Sequence, residues 1–193
     1  MTSSQITLLT QHYDRASDLL STSTAAYLIT PDPILIGYLA LLQAGCQGIG
    51  VPYRMSECNS YYNGVYDDGA NGVSNSYASS LWVIDFLFDC AQGGASGVNF
   101  HGGGHVGYSP IANKAGRVIG VGPEVYGMLL FNLAGQGALY TTQRSAESLS
   151  VTAYAVKSAS DASTSSSSTR ISAKIFSSPP NSRGTPAPPC CLL

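Results

Sequence analysis

Charge is scarce in this chain: 10% of its 193 residues are Asp, Glu, Lys or Arg, and the formal net charge is −2. There is no basic patch to hold nucleic acid and no charge block to hold a membrane surface. No apolar run approaches the roughly 18 residues of a membrane span. Met1-Thr2-Ser3-Ser4 does not open a basic-then-apolar signal peptide, and the chain contains no Asn-x-Ser/Thr sequon. No Cys-x-x-Cys pair occurs, so zinc and dithiol redox chemistry have no support. Cys46, Cys58 and Cys90 lie in apolar segments and read as free buried thiols. Glutamate is rarer still. Glu57 stands alone in the first 120 residues.

What is present is Gly (21), Tyr (12) and abundant Ser. That mix leans toward sugar binding, because aromatic faces stack on sugar rings. The length suits one domain with a real core, but not a complete β/α barrel of about 250 residues.

Apolar patterning predicts alternating elements. Ile6 to Tyr13 reads as a buried strand with His12 and Tyr13 at its tip. Ile34 to Ala44 has helical spacing and closes at Gly45, and Ile49 to Glu57 is a second strand. A Gly-, Asn- and Tyr-rich loop runs from Ser60 to Asn75, long enough to be functional. Ser76 to Cys90 is a helix apolar nearly all round, stopped by Gly93-Gly94. Ser96 to His101 is a third strand, a loop carries Tyr108 and Pro110, and Glu124 to Leu133 is a third helix. This order makes a parallel sheet with helical crossovers. Leu139 to Thr142 and Leu149 to Val156 read as antiparallel strands of an appended β domain.

The remainder changes character. Ten of the 21 residues from Ser158 to Ser178 are serine, and five of the ten prolines lie between Pro179 and Pro189. Such a tail is expected to stay unfolded. Its abrupt onset is what a misread exon or shifted frame produces. Cys190-Cys191-Leu192-Leu193 matches a prenylation box in form only.

Two chemical readings fail on their requirements. His101-Gly102-Gly103-Gly104 has the form of an esterase oxyanion turn, but no Gly-x-Ser-x-Gly elbow follows. His101 and His105 are spaced like zinc ligands on a helix, but three intervening glycines forbid a dependable helix. Glu57 is left. A carboxylate at the carboxyl end of a buried strand is where a β/α barrel keeps its chemistry. A retaining glycosidase needs two carboxylates about 5–5.5 Å apart, one to attack the anomeric carbon and one to protonate the leaving oxygen. Glu57 suits the first role, with Tyr13 and His101 on neighbouring strand tips to orient it and line a sugar pocket. Asp67, Asp68, Asp85, Asp89 and Glu124 fall in loops or helices, so the second role has no candidate on a strand tip.

The runs Arg54-Met55-Ser56-Glu57-Cys58-Asn59-Ser60, Gly72-Val73-Ser74-Asn75, Ala78-Ser79-Ser80-Leu81-Trp82, Gly97-Val98-Asn99-Phe100-His101 and Tyr126-Gly127-Met128-Leu129-Leu130-Phe131 together resemble glycoside hydrolase family 79, the β-glucuronidases and heparanase-like enzymes. The resemblance runs from about Ser4 to Val156. It implies the C-terminal portion of a TIM (β/α)8 barrel, about strands six to eight, in residues 1–137. It implies the first strands of a β-sandwich in 138–157, with 158–193 as the low-complexity tail. It makes Glu57 the nucleophile of a retaining β-glucuronidase, at the end of the seventh barrel strand. It implies that tyrosine hydroxyls and backbone amides read the sugar carboxylate, which carries over to Tyr13, Tyr62 and Tyr108, with His12 and His101 beside them. Asp14 falls where family members often have a second tyrosine.

The family's acid/base glutamate follows an asparagine at the fourth strand tip, and no Asn-Glu pair occurs here. The isolated chain is therefore expected to be inactive. The implied partner is a glucuronide or uronic-acid-containing glycan, with no cofactor, metal, nucleic acid or membrane, and with the oligomeric state open. The complete enzyme is expected to be secreted. The alternatives are a non-catalytic carbohydrate-binding remnant or pseudogene product, and a clan-related glycosidase acting on neutral sugars.

Overall fold

The computed structural model describes residues 12–14, 28, 32–60, 69, 71–102, 107–140, 150–158 and 171–177. A parallel sheet forms its centre. Strand β1 (His12–Asp14) pairs with β2 (Tyr53–Asn59), which pairs with β3 (Ala95–Phe100), in chain order. Helix α1 (Pro33–Ile49) lies between the first two strands in sequence, and α2 (Tyr77–Gln92) between the second and third.

Helix α1 starts where the Asp32 side chain accepts a hydrogen bond from the Ile34 N–H at 3.0 Å, with Pro33 in the first turn. It does not end at Gly45 as its sequence suggests. It continues to Ile49 and stops at Gly50, whose φ of 67° is left-handed. Glycine weakens a helix by about 1 kcal/mol without forbidding it; the stop needs the left-handed residue, which also donates its N–H to Cys46 and Gln47 carbonyls. Ile49 thus belongs to the helix, not to the second strand. The helix buries Leu35, Leu39 and Cys46 against the sheet.

Helix α2 is buried on two sides, as its all-round apolar surface requires. Trp82, Val83 and Phe86 join Tyr53, Met55, Cys58, Leu39 and Cys46 in the main core. Trp82 stacks on Phe86 with ring centroids 5.0 Å apart. Cys46, Cys58 and Cys90 are buried thiols. From its other side, Leu81, Ile84 and Phe88 form a second core with Ala134 and Tyr154.

Residues 107–122, expected as a loop, include a hairpin. Strands β4 (Ile111–Lys114) and β5 (Arg117–Val121) pair antiparallel across Ala115 and Gly116, both at positive φ. Helix α3 (Glu124–Leu133) follows and packs on α2 through Gly127. Strands β6 (Gly137–Tyr140), β7 (Ser150–Ser158) and β8 (Ile171–Ser177) form an antiparallel sheet. Strand β8 lies inside the stretch assigned from sequence to an unfolded tail. Tyr154 on β7 stacks on Phe88, centroids 4.1 Å apart and 7° from parallel. Asp85 of α2 accepts hydrogen bonds from the hydroxyls of Thr152 (2.7 Å) and Tyr154 (2.8 Å). Among the described residues no helix is long and apolar enough to cross a membrane.

Candidate active site

The site stands at the carboxyl ends of β1, β2 and β3. Tyr53 and Met55 point into the core. Strict alternation would send Glu57 after them and turn Cys58 outward. The register prevents this. Met55 pairs with Val98 and Cys58 with Phe100, so three steps along β2 match two along β3. The extra residue shifts the phase of the strand. Cys58 enters the core with no exposed surface, and its thiol donates to the Asn99 carbonyl at 3.3 Å. Glu57 is left with its side chain 42% exposed.

His101 follows the last residue of β3. Its N–H donates to the Cys58 carbonyl at 2.9 Å, which extends the sheet by one bond. Its Nε2 lies 3.7 Å from Glu57 Oε1. Its Nδ1 lies 2.5 Å from the Tyr108 hydroxyl. Tyr108 is 3% exposed, and Gly69 packs against it, since a Cβ there would lie 2.9 Å from the Tyr108 ring.

Asn59, at the end of β2, is fully buried. Its Nδ2 donates to the His101 carbonyl at 2.7 Å and to the Tyr108 carbonyl at 3.4 Å. Its Oδ1 accepts from the Ser60 N–H at 2.6 Å and the Ser60 hydroxyl at 3.2 Å. One carboxamide thus ties together the end of β2, the end of β3 and the returning chain at Tyr108.

Below this layer Glu124 is 1% exposed. Burial pushes its carboxyl up to about 8. The nearby Ser60 hydroxyl pulls the other way, but neither carboxyl oxygen reaches hydrogen-bonding geometry.

The expected site residues divide as follows. Glu57, His101 and Tyr108 come together. The backbone of His12 lies in β1 directly across from Glu57, and that of Tyr13 across from Cys58. Asp14 is the last residue of β1 and pairs with Asn59. Tyr62 and His105 lie outside the described residues. Sequence reasoning missed the role of Asn59 and set Glu124 aside as a helix-start residue without foreseeing its burial. Asn59 had a signal, since a buried amide at a strand end must bond across to its neighbours. Glu124 had none, because a glutamate in a helix's first turn is ordinarily a surface feature.

A half-exposed carboxylate on the central strand, faced by an imidazole held from behind, can act as a nucleophile or a base. No family model matches the chain. Over 59 residues it is 39% identical to a β-glucuronidase of Aspergillus niger. That stretch is 31% of this chain and 10% of the fungal protein, so the match spans about a tenth of its relative's length.

Proposed function

We propose that this chain carries the nucleophile of a retaining glycosidase of the β-glucuronidase kind, and that the nucleophile is Glu57. The observation that carries the reading is the placement of Glu57: half-exposed on the central parallel strand near its carboxyl end, turned out of the core by the register shift, with His101 Nε2 3.7 Å away. The partial identity to a fungal β-glucuronidase supports the choice of chemistry.

On this reading the parallel strands are part of a (β/α)8 barrel of family 79 type, and β6–β8 begin its β-sandwich. The Glu57 carboxylate attacks the anomeric carbon as the glycosidic C–O bond breaks. The leaving oxygen takes its proton from an acid outside this chain. Water then cleaves the glycosyl ester and returns the carboxylate. Tyr13 and Tyr62 are the hydroxyls assigned to the sugar carboxylate. The complete enzyme is secreted and meets a glucuronide or uronic-acid glycan.

The test is hydrolysis of aryl β-glucuronide against aryl β-glucoside by a polypeptide joining this chain to its acid-bearing segment. The glucuronide is cleaved, and Glu57→Gln stops cleavage. Preference for the glucoside overturns the substrate assignment. Turnover undiminished by Glu57→Gln overturns the mechanism.

A further inference from the structure

Glu124 is a buried acid that the proposed chemistry leaves unused. It is 1% exposed in the first turn of α3, and neither carboxyl oxygen makes a hydrogen bond. Among the described residues, the elements that meet this end of α3 offer it hydroxyls and no charge. Ser80 of α2 gives its hydroxyl to the Pro123 carbonyl at 2.5 Å. Ser109 lies with its carbonyl against Gly122, its buried hydroxyl without a hydrogen bond. Ser60, just beyond β2, brings its hydroxyl near the Glu124 carboxyl. That hydroxyl has one proton to give, and it gives it to Asn59 Oδ1 at 3.2 Å.

Two acceptors thus compete for one proton. With Glu124 neutral, the hydroxyl stays on Asn59, and the carboxyl can turn its own O–H to the Ser60 oxygen. The bonds then run one way, from Glu124 through Ser60 to Asn59. With Glu124 ionised, the buried carboxylate draws the Ser60 proton to itself, because a hydrogen bond to a charged acceptor is about twice as strong as a neutral one. Asn59 Oδ1 then keeps the Ser60 N–H at 2.6 Å and loses the hydroxyl. The change reaches the site through the same carboxamide. Its Nδ2 holds the His101 carbonyl at 2.7 Å and the Tyr108 carbonyl at 3.4 Å, from a strand position two residues beyond Glu57.

We propose that Glu124 is a positioning residue that acts through Ser60: neutral, it leaves Asn59 clamped across the ends of β2 and β3; ionised, it takes the Ser60 proton and loosens the clamp beside Glu57. This deepens the glycosidase reading, as a control on the strand that bears the nucleophile, and rests on it for that meaning, though not for its test. Burial raises the Glu124 carboxyl to about 8. The clamp is therefore closed at neutral pH and loosens as the medium turns alkaline.

The experiment is NMR of the full 193-residue chain, which has three glutamates, Glu57, Glu124 and Glu147. Carboxyl-labelled glutamate lets each be titrated, and Glu57→Gln and Glu147→Gln assign the signals by elimination. The Asn59 side-chain amide is followed over the same pH range. The expected result is an Asn59 shift with the midpoint of the Glu124 carboxyl, near 8, and a much smaller one in Ser60→Ala, where the hydroxyl is gone. An Asn59 amide that stays still while Glu124 titrates overturns the proposal without a Ser60 variant. So does a Glu124 carboxyl already ionised at neutral pH. An Asn59 shift of wild-type size in a folded Ser60→Ala overturns the route through the hydroxyl. None of these results touches the glycosidase reading, which turns on sugar cleavage.

Discussion

The Nε2 of His101 stands 3.7 Å from Oε1 of Glu57, joining the ends of two neighbouring parallel strands. The contact exists because β2 gains a residue on β3 between Met55 and Cys58. Without that shift the carboxylate would point into the core occupied by Trp82, Phe86 and Met55. There an unpaired carboxyl costs several kcal/mol, on the order of the penalty for any buried ion.

The first prediction concerns the nucleophile. In the polypeptide that turns over glucuronide, Glu57→Gln lowers kcat/KM by about 10⁴–10⁶-fold, the scale seen when a nucleophile is removed from a catalytic unit. Stopped assays with an aryl β-glucuronide check it. A loss under tenfold would place the chemistry elsewhere.

The second concerns Glu124 and pH. Its folded carboxyl titrates at about 8, against 4.5 for the ordinary group. Between these values the folded state holds a proton that the unfolded state has released. Stability is therefore fullest below pH 4.5 and falls as pH rises to about 8. Glu124→Gln removes this dependence. Urea midpoints should be similar at pH 4, with the variant ahead at pH 8 by up to a few kcal/mol on the linkage scale. Parallel pH profiles for the two proteins would contradict the burial.

The third concerns the contact between α2 and β7. Tyr154→Phe keeps the stack on Phe88 but removes one of the two hydroxyls bonded to Asp85. Burial already raises that carboxyl above the usual range. Losing a donor to it costs about 1–3 kcal/mol, whereas Tyr154→Ala costs a further few by emptying the aromatic site. Denaturant titration separates the two. Equal losses would mean that the ring's packing contributes nothing beyond the hydroxyl, and an unchanged Tyr154→Phe would mean that the hydroxyl contributes nothing.

The fourth compares two glycines. A Cβ at position 127 would overlap Val83 Cγ1 and the Ser80 carbonyl oxygen, whereas one at position 45 meets nothing within 4 Å. Gly127→Ala should destabilise by about 1–3 kcal/mol or more, and Gly45→Ala should stabilise by up to about 1 kcal/mol. Thermal unfolding reads both. A benign Gly127→Ala would mean that α2 and α3 are not in contact.

Much of this was legible in residue order, and the exceptions share a cause. Ser76 to Cys90 reads as a helix buried on several sides because its apolar residues leave no polar stripe, and α2 indeed lies between two cores. Glu124 to Leu133 reads as a helix with the bounds it has. Glu57 was conspicuous as a lone glutamate after a β-rich run. Its exposure was not legible, because alternation from Tyr53 points it inward. Only pairing with β3 supplies the shift, and pairing is not a property of one strand. The hairpin at 111–121 was hidden because Ala115, not Asn or Gly, takes the first positive φ. Tyr108 was assigned to the pocket by the family resemblance alone, and its burial in the fold was not legible. Its burial depends on Gly69, nearly forty residues earlier.

The most direct test of the central claim is to trap the glycosyl-enzyme. A 2-deoxy-2-fluoro-β-glucuronosyl fluoride needs little help for its fluoride to leave, so trapping isolates the nucleophile from the acid. The glucuronide-cleaving polypeptide that contains this chain is treated with it, digested and mapped by mass spectrometry. The account predicts one fluoroglucuronosyl ester, on the peptide bearing Glu57 and absent from Glu57→Gln. An ester on any other carboxylate, or the same adduct in the Gln variant, would contradict it.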